Sequence, residues 1–292
     1  MQKEFSIGNS GDFSNLSNLA VIVALQKEAQ PILQAFSGEY KSWQDYGVTF
    51  IQGKIASNNK CNKVNNAVLT ICIAGMGKCA AAAAAQALII EAKPQVLIFS
   101  GIAGALNPRL NVGDIVIGKN LHYLETNTQI IADCAPYKEV FESDSKLCAL
   151  AANQAKLLGF RLEKSLQESS SDACDFSAES KQSASNANIT SDTSSNGVAY
   201  VCGNIATSDQ FNTDPKVLDA VREEVFGDCE EMEGAAVAHI AAKNSVPFLA
   251  IRAMSNRCGE SYESLDEHKD DLVLAANHAG SLTLSVLNAL VK

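Results

Sequence analysis

Short apolar runs alternate with longer segments of helical character along most of the chain. The apolar runs are LAVIVAL (19–25), VTFIQGKI (48–55), AVLTICIAG (67–75), QVLIFSGIAG (95–104), GDIVIG (113–118), VAYVCGNIAT (198–207) and VPFLAIRAMS (246–255). Strands that are continuously apolar are covered on both faces, as in a largely parallel sheet. Helices are predicted over 26–36, 78–92, 144–159, 214–226, 233–244 and 269–290. The run from Lys78 to Glu91 is alanine-rich and strongly helix-forming, and Gly75 and Gly77 sit just before it. The alternation predicts an α/β fold, a three-layer sandwich with a mostly parallel, mixed central sheet and helices on both faces. In such sheets ligands bind beyond the carboxyl ends of the strands, so the residues after each strand carry the interest.

Two stretches break the pattern. Residues 1–18 form a Ser/Asn/Gly-rich leader, and residues 163–197 contain eleven serines with almost no large apolar side chains. Neither buries enough surface to offset its ordering entropy, so both are expected to be disordered. Residues 19–292 are expected to form a single domain, with 163–197 looping out of a surface connection as a solvated insertion.

Composition narrows the function. The 292 residues are 47% hydrophobic and 19% charged, ordinary for a globular chain with a real core. The formal charge of −10 argues against a polyanion partner, and so against nucleic acid. No uninterrupted apolar run approaches the ~20 residues of a membrane span, and the first residues lack a signal-sequence pattern. Nine cysteines are scattered with no C-x-x-C pair, which reads as reduced thiols in the cytoplasm. Four histidines show no metal-ligand spacing, and His239, on an apolar helix, reads as a satisfied core residue. No metal and no cofactor is expected.

The strand ends are chemically loaded. Gln26-Lys27-Glu28 follows LAVIVAL, Gly101-Ile102-Ala103-Gly104 follows VLIFS, and Ser208-Asp209-Gln210-Phe211 follows VCGNIAT. Ala253-Met254-Ser255-Asn256 follows FLAIR, and Glu230-Glu231-Met232-Glu233 precedes an apolar helix. Each has a structural explanation. Glu28 could complement a helix dipole, Gly101 and Gly104 could make a tight turn, and Glu231 and Glu233 could cap a helix. Gly75-Met76-Gly77-Lys78 looks like a phosphate loop but lacks the full spacing and the following Ser/Thr. Together, at successive strand ends of one sheet, these features point to a site.

The motifs A-L-Q-K-E-A-x-P-I-L (24–33), G-M-G-K-x-A-A-A (75–82), S-G-I-A-G-x-L (100–106) and V-G-D-I-V (112–116) continue with I-A-T-S-D-Q-F (205–211), E-M-E-G-A-A-V-A-H (231–239) and V-P-F-L-A-I-R-A-M-S (246–255). In kind and order this chain resembles the nucleoside phosphorylase superfamily, within it the 5′-methylthioadenosine/S-adenosylhomocysteine nucleosidases. The resemblance implies hydrolysis of a purine N-glycosidic bond in methionine salvage, through an oxocarbenium-like sugar. It implies Glu28 as the base that positions a water, with Arg252 fixing that water or orienting the carboxylate. It places Glu233 on the ribose hydroxyls, Met232 against the sugar and Phe211 on the purine. Backbone groups of Ala103, Gly104 and Asn212 would line the base and ribose pockets, with Leu25, Ile102, Glu231 and Ser255 among the substrate-binding residues. A homodimer is implied as well.

Some positions depart from the family. Where it has an aspartate that protonates or hydrogen-bonds purine N7, this chain has Asn256, which can donate a hydrogen bond but no proton. Asparagine here resembles relatives that handle 6-oxopurines, including futalosine hydrolases, which release hypoxanthine in menaquinone synthesis. On the 5′ side, an acidic stretch reads His122-Tyr123-Leu124-Glu125-Thr126, and Leu265 replaces a usual aromatic. Phosphorolysis is disfavoured because the first arginine is Arg109 and Glu28 would repel phosphate. An inactive purine-binding module is the alternative of a different class.

Overall fold

Alternate residues of the central strands feed two different cores. In the computed structural model, which describes residue 13 and residues 16–55, 67–173, 197–261 and 269–291, the chain opens with β1 (Asn18–Val23), the short α1 (Gln26–Ala29) and a 3-10 turn (Gln30–Ala35). Next come β2 (Lys41–Asp45), β3 (Val48–Lys54), β4 (Val68–Ile73), α2 (Lys78–Ala92), β5 (Val96–Ala105) and β6 (Ile115–Tyr123). The middle contains α3 (Thr128–Ile131), β7 (Phe141–Glu142), α4 (Ser145–Leu157), β8 (Arg161–Leu162) and α5 (Leu166–Ala173). The rest is β9 (Ala199–Thr207), α6 (Pro215–Glu224), β10 (Gly227–Glu231), α7 (Gly234–Lys243), β11 (Phe248–Arg257) and α8 (Lys269–Leu290).

Leu19, Val21 and Val23 of β1 pack with Ile98 of β5, Ile251 of β11, and α4 and α8 on one face. Ala20 and Ile22 pack with Phe99, Ala250 and the alanines of α2 and α7 on the other. This is the period-2 geometry of a strand between two helical layers, the predicted three-layer sandwich. By length and composition α8 could cross a bilayer, but Ala275, Ala279, Leu282, Val286 and Leu287 are spent in the first core.

The sheet order is β10-β9-β6-β11-β5-β1-β4-β3-β2, with β1 parallel to β4 and β5, β11 parallel to β5, and β6 parallel to β9. Antiparallel pairs join β2, β3 and β4 at one edge and β11 to β6 in the middle, so the sheet is mixed. At the other end β10 pairs with β9 and also, antiparallel, with β5. The strands β5, β11, β6, β9 and β10 therefore close into a ring. Closure sets one register that matters below: Gly104 lies opposite Asn256 on one side and Glu230 on the other.

The serine-rich segment begins later than the sequence implies. Arg161 and Leu162 pair with β9, Ser165 is buried, and Leu166 N donates to Asp228 Oδ1 at 2.9 Å. The amide of Asn107 joins this knot, donating to Lys164 O at 3.1 Å and to the same Asp228 oxygen at 2.8 Å. A buried carboxylate needs such donors, and residues 163–170 supply one, so they pack on the body. Residues 174–196, like most of the leader, lie outside the described residues.

Candidate active site

A cavity of about 250 Å³ opens where the carboxyl ends of β1, β5, β9, β10 and β11 converge. Glu28 is part of its wall. The turn after β1 folds its carboxylate back so that Leu25 N donates to Oε2 at 2.7 Å, and Ile102 N, on β5, donates to Oε1 at 2.9 Å. The helix-start explanation is therefore partly right, but the second bond reaches across the sheet. Burial pushes the Glu28 pKa above the usual carboxylate value, against the pull of Arg252 and of these N–H groups.

Arg252 on β11 is fully buried, with its guanidinium 3.7 Å from the Phe99 ring centroid. Its Nη2 donates to Glu231 Oε2 at 2.5 Å and to Glu233 Oε2 at 3.0 Å. Burial alone would favour the neutral guanidine, but Glu231, Glu233 and Glu28 together hold the pKa above its ordinary value. Arg252 does not line the cavity, and its hydrogen bonds go to the carboxylates of Glu231 and Glu233.

The two glutamates before α7 divide their labour. Thr207 Oγ1 donates to Glu231 Oε1 at 2.5 Å, while Glu233 N and Gly234 N donate to Oε2 at 3.0 and 2.7 Å. Glu231 thus caps α7 and anchors Arg252. It borders the cavity, yet its oxygens are taken up by the protein, which argues against substrate binding through its carboxylate. Among the described residues Glu233 receives only Gly77 N on Oε1 at 2.8 Å and Arg252 on Oε2, so each oxygen keeps capacity for a hydroxyl. Burial and the adjacent Glu231 push its pKa up to about 7.

Gly101 and Gly104 lie inside β5 and make no turn. A Cβ at Gly101 would collide with Arg252 Nη1 and Glu28 Oε1, so glycine is what lets the acid and the guanidinium approach. Gly101→Ala is expected to displace both pinned groups, costing roughly 1–3 kcal/mol of overpacking. Thermal melting and base release measured together check this, and activity at the native level would show that the pair has slack.

The Gly75–Lys78 loop has a use other than phosphate. Gly77, at φ 93°, caps α2 and gives its N–H to Glu233, while Lys78 N donates to Asp209 Oδ1 at 2.8 Å. Free amides at a helix N-terminus attract anions, and here carboxylates of the protein occupy them. Lys78 Nζ pairs with Glu125 Oε2 at 2.5 Å, and Ser208 Oγ donates to the same carboxylate, tying the rim together.

Beside Gly104, β11 bulges between Met254 and Asn256, turning Ser255 and Asn256 toward the cavity. Ser255 Oγ donates to Asn256 Oδ1 at 3.0 Å, and Asn256 Nδ2 donates to Arg257 O at 3.0 Å. One Nδ2 hydrogen is left for a ligand. Leu25, Ile102, Ala103, Phe211, Asn212 and Met232 all border the same space. Leu265 lies outside the described residues. His239 is half-buried at the edge of the core, stacked on Phe141 at 4.4 Å, with Tyr123 Oη 3.4 Å from Nδ1.

Sequence reasoning gave no role to Glu230 and did not name Cys258, and both also line the cavity. Glu230 is buried, and Asn212 Nδ2 donates to its Oε1. The available signal was its place directly before the Glu231-Met232-Glu233 motif.

The family model described as the phosphorylase superfamily matches residues 18–288. The chain belongs to the phosphorylase superfamily. Among superfamily relatives, the 5′-methylthioadenosine/S-adenosylhomocysteine nucleosidase of Treponema pallidum is 31% identical over 223 residues, 76% of this chain and 78% of that protein. The protein of the same name from Bacillus thuringiensis strain Al Hakam is 28% identical over 280 residues, 93% and 99% of the two chains. Among solved structures, the 5′-methylthioadenosine/S-adenosylhomocysteine nucleosidase of Colwellia psychrerythraea, in complex with adenine, superposes with a TM-score of 0.70 at 25% identity, covering 94% of this chain and 96% of that one. Futalosine hydrolase of Helicobacter pylori gives a TM-score of 0.71 at 20% identity over 94% and 98%, a likeness of fold.

Proposed function

We infer that the protein is a nucleosidase that uses water to cleave 5′-methylthioadenosine- or S-adenosylhomocysteine-like nucleosides to free purine and a 5′-substituted ribose. The observation that carries this is the Glu28 carboxylate, buried in the cavity and held from the turn after β1 and from β5, with lone pairs left for a water. The water loses a proton to Glu28 as its oxygen bonds to C1′, and the C1′–N9 electron pair departs with the purine. Glu233 takes the ribose hydroxyls, and its charge favours the cationic ring. Met232 packs on the sugar and Phe211 on the base. Water is preferred to phosphate because the α2 amides are already bonded to carboxylates and Glu28 repels an anion. A homodimer belongs to this reading by resemblance, and the cytoplasm by the scattered cysteines read as reduced thiols.

One observation favours a second reading, a futalosine-type hydrolase. The locked amide of Asn256 aims an N–H at the base, which suits N7 together with O6 of a 6-oxopurine better than a 6-amino group. The test is free-base release from methylthioadenosine, S-adenosylhomocysteine, futalosine, 6-amino-6-deoxyfutalosine and inosine, with and without phosphate. Adenine release unaffected by phosphate is expected. Asn256→Asp should raise adenine over hypoxanthine in kcat/KM by roughly 5- to 150-fold, the worth of ~1–3 kcal/mol for an acceptor left unpaired against O6. Phosphate-dependent release would sink the hydrolytic reading. A native preference for hypoxanthine would move the assignment to the second one.

A further inference from the structure

Asn256 leaves the leaving group without a proton donor, and the strand register supplies a candidate from across the sheet. Gly104 is paired with Asn256 of β11 and with Glu230 of β10, its neighbours on either side. Directly opposed residues point to the same face, and adjacent strands lie roughly 4.8 Å apart, so the two side chains flank the glycine about 10 Å apart at their Cα atoms. Gly104 has no side chain to fill the gap, and all three residues border the cavity. A Cβ at Gly104 would meet Cys258 Sγ at 2.8 Å and Asn256 Nδ2 at 3.5 Å, so the glycine keeps this stretch of the cavity wall low beside both side chains. A flat purine lying over Gly104 and Cys258 would turn one edge toward Asn256 and the other toward Glu230.

We propose that Glu230, oriented by Asn212, is the acid that protonates the departing base at N1 of a 6-aminopurine, replacing the donor that Asn256 cannot be. Asn212 Nδ2 fixes Oε1, while Oε2 has no hydrogen-bond partner among the described residues. The groups facing Glu230 are Glu125 beyond β6, Glu231 on β10 and Cys258 just past β11. Arg222 on α6 lies beyond Cys258, its Nε donating to Leu106 O at 2.9 Å. Glu230 forms no ion pair among the described residues. Burial, opposed by the Asn212 hydrogen bond and reinforced by Glu125 and Glu231, pushes the Glu230 pKa up to about 7, so a large share of the carboxyl keeps its proton near neutrality.

The step balances. The C1′–N9 pair goes to the purine, the Glu230 proton goes to N1, and the base leaves as a neutral tautomer. Water gives hydroxide to C1′ and a proton to Glu28; solvent then returns Glu28 to the carboxylate and Glu230 to the carboxylic acid. This inference rests on the nucleosidase reading and narrows it to bases whose N1 is bare.

The test uses the full chain and two substrates sharing one 5′-methylthioribosyl group, methylthioadenosine and the 4-nitrophenyl riboside, whose leaving group needs no proton. Glu230→Gln is expected to lower kcat/KM for methylthioadenosine by roughly 10²-fold or more while changing the nitrophenyl substrate less than threefold. The alkaline limb of the methylthioadenosine pH profile should vanish in that variant. Equal losses on both substrates would make Glu230 a structural residue, and native-like turnover of methylthioadenosine would dismiss it from catalysis. Either result overturns the proposal while leaving the nucleosidase reading intact. If the native protein cleaves neither substrate, that reading itself fails.

Discussion

Glu28→Gln is expected to lower kcat by roughly 10²–10⁴-fold, the range for losing a positioned base, while purine nucleoside binding persists. The substitution keeps the shape of the side chain, so the cavity survives. It replaces one acceptor oxygen by an NH₂ group, although the native carboxylate takes an N–H on each oxygen, from Leu25 and from Ile102. One of those amides then meets a donor, which costs some stability but leaves the sugar and base contacts alone. The pH dependence has a definite sign. Burial raises the Glu28 pKa, and the base works only when ionised, so native activity should fall on the acid side at a higher pH than an ordinary carboxylate would give. That limb should be missing in the variant. Single-turnover base release across pH, with calorimetric binding of the nucleoside, measures both quantities. Turnover within tenfold of the native protein would remove Glu28 from the chemistry.

What could be foreseen follows from where the physics is local. The predicted helix over 78–92 agrees with α2 because its alanines form helix without help. Likewise α4 and α6 begin where predicted because Asp144 and Asp214 cap them, with Pro215 at the first turn of α6. The central strands were legible because both faces are apolar. By contrast, β10 reads Gly-Asp-Cys-Glu-Glu, a composition that argues against a buried strand, yet every residue in it is buried. Asn107, Leu166 and Asn204 satisfy Asp228, Thr207 and Arg252 satisfy Glu231, and none of these partners is near in sequence. The edge strand β2, with its polar Lys-Ser-Trp-Gln-Asp, shows no alternation to detect. The same distinction applies at the site. Glu28, Glu233 and Asn256 were visible as motif residues after strands. Glu230 was not singled out, because its place in the cavity depends on the β10–β5 pairing that closes the ring.

Arg252→Met is expected to destabilise the fold by roughly 3–5 kcal/mol, the usual cost of removing one partner from a buried ion pair. Methionine is flexible and can still pack on Phe99, so the loss is mainly electrostatic. Without the guanidinium, Glu231 and Glu233 lose their shared cation in a site where Glu28 is also buried. At about 2–4 °C per kcal/mol for a chain of this size, melting should drop by roughly 6–20 °C. The deficit should also depend on pH. Glu28 and Glu233 already have raised pKa values with Arg252 opposing the rise, so its removal raises them further. A carboxyl whose folded pKa exceeds its unfolded one destabilises the fold as pH rises through the interval between them, and the penalty disappears below it. The variant should therefore regain ground on the native protein as the pH is lowered from 8 to 5. Denaturant and thermal unfolding of both proteins over that range decide the matter. A variant that melts with the native protein at every pH would mean that the carboxylates are already neutral, and the charge balance drawn for this site would be wrong.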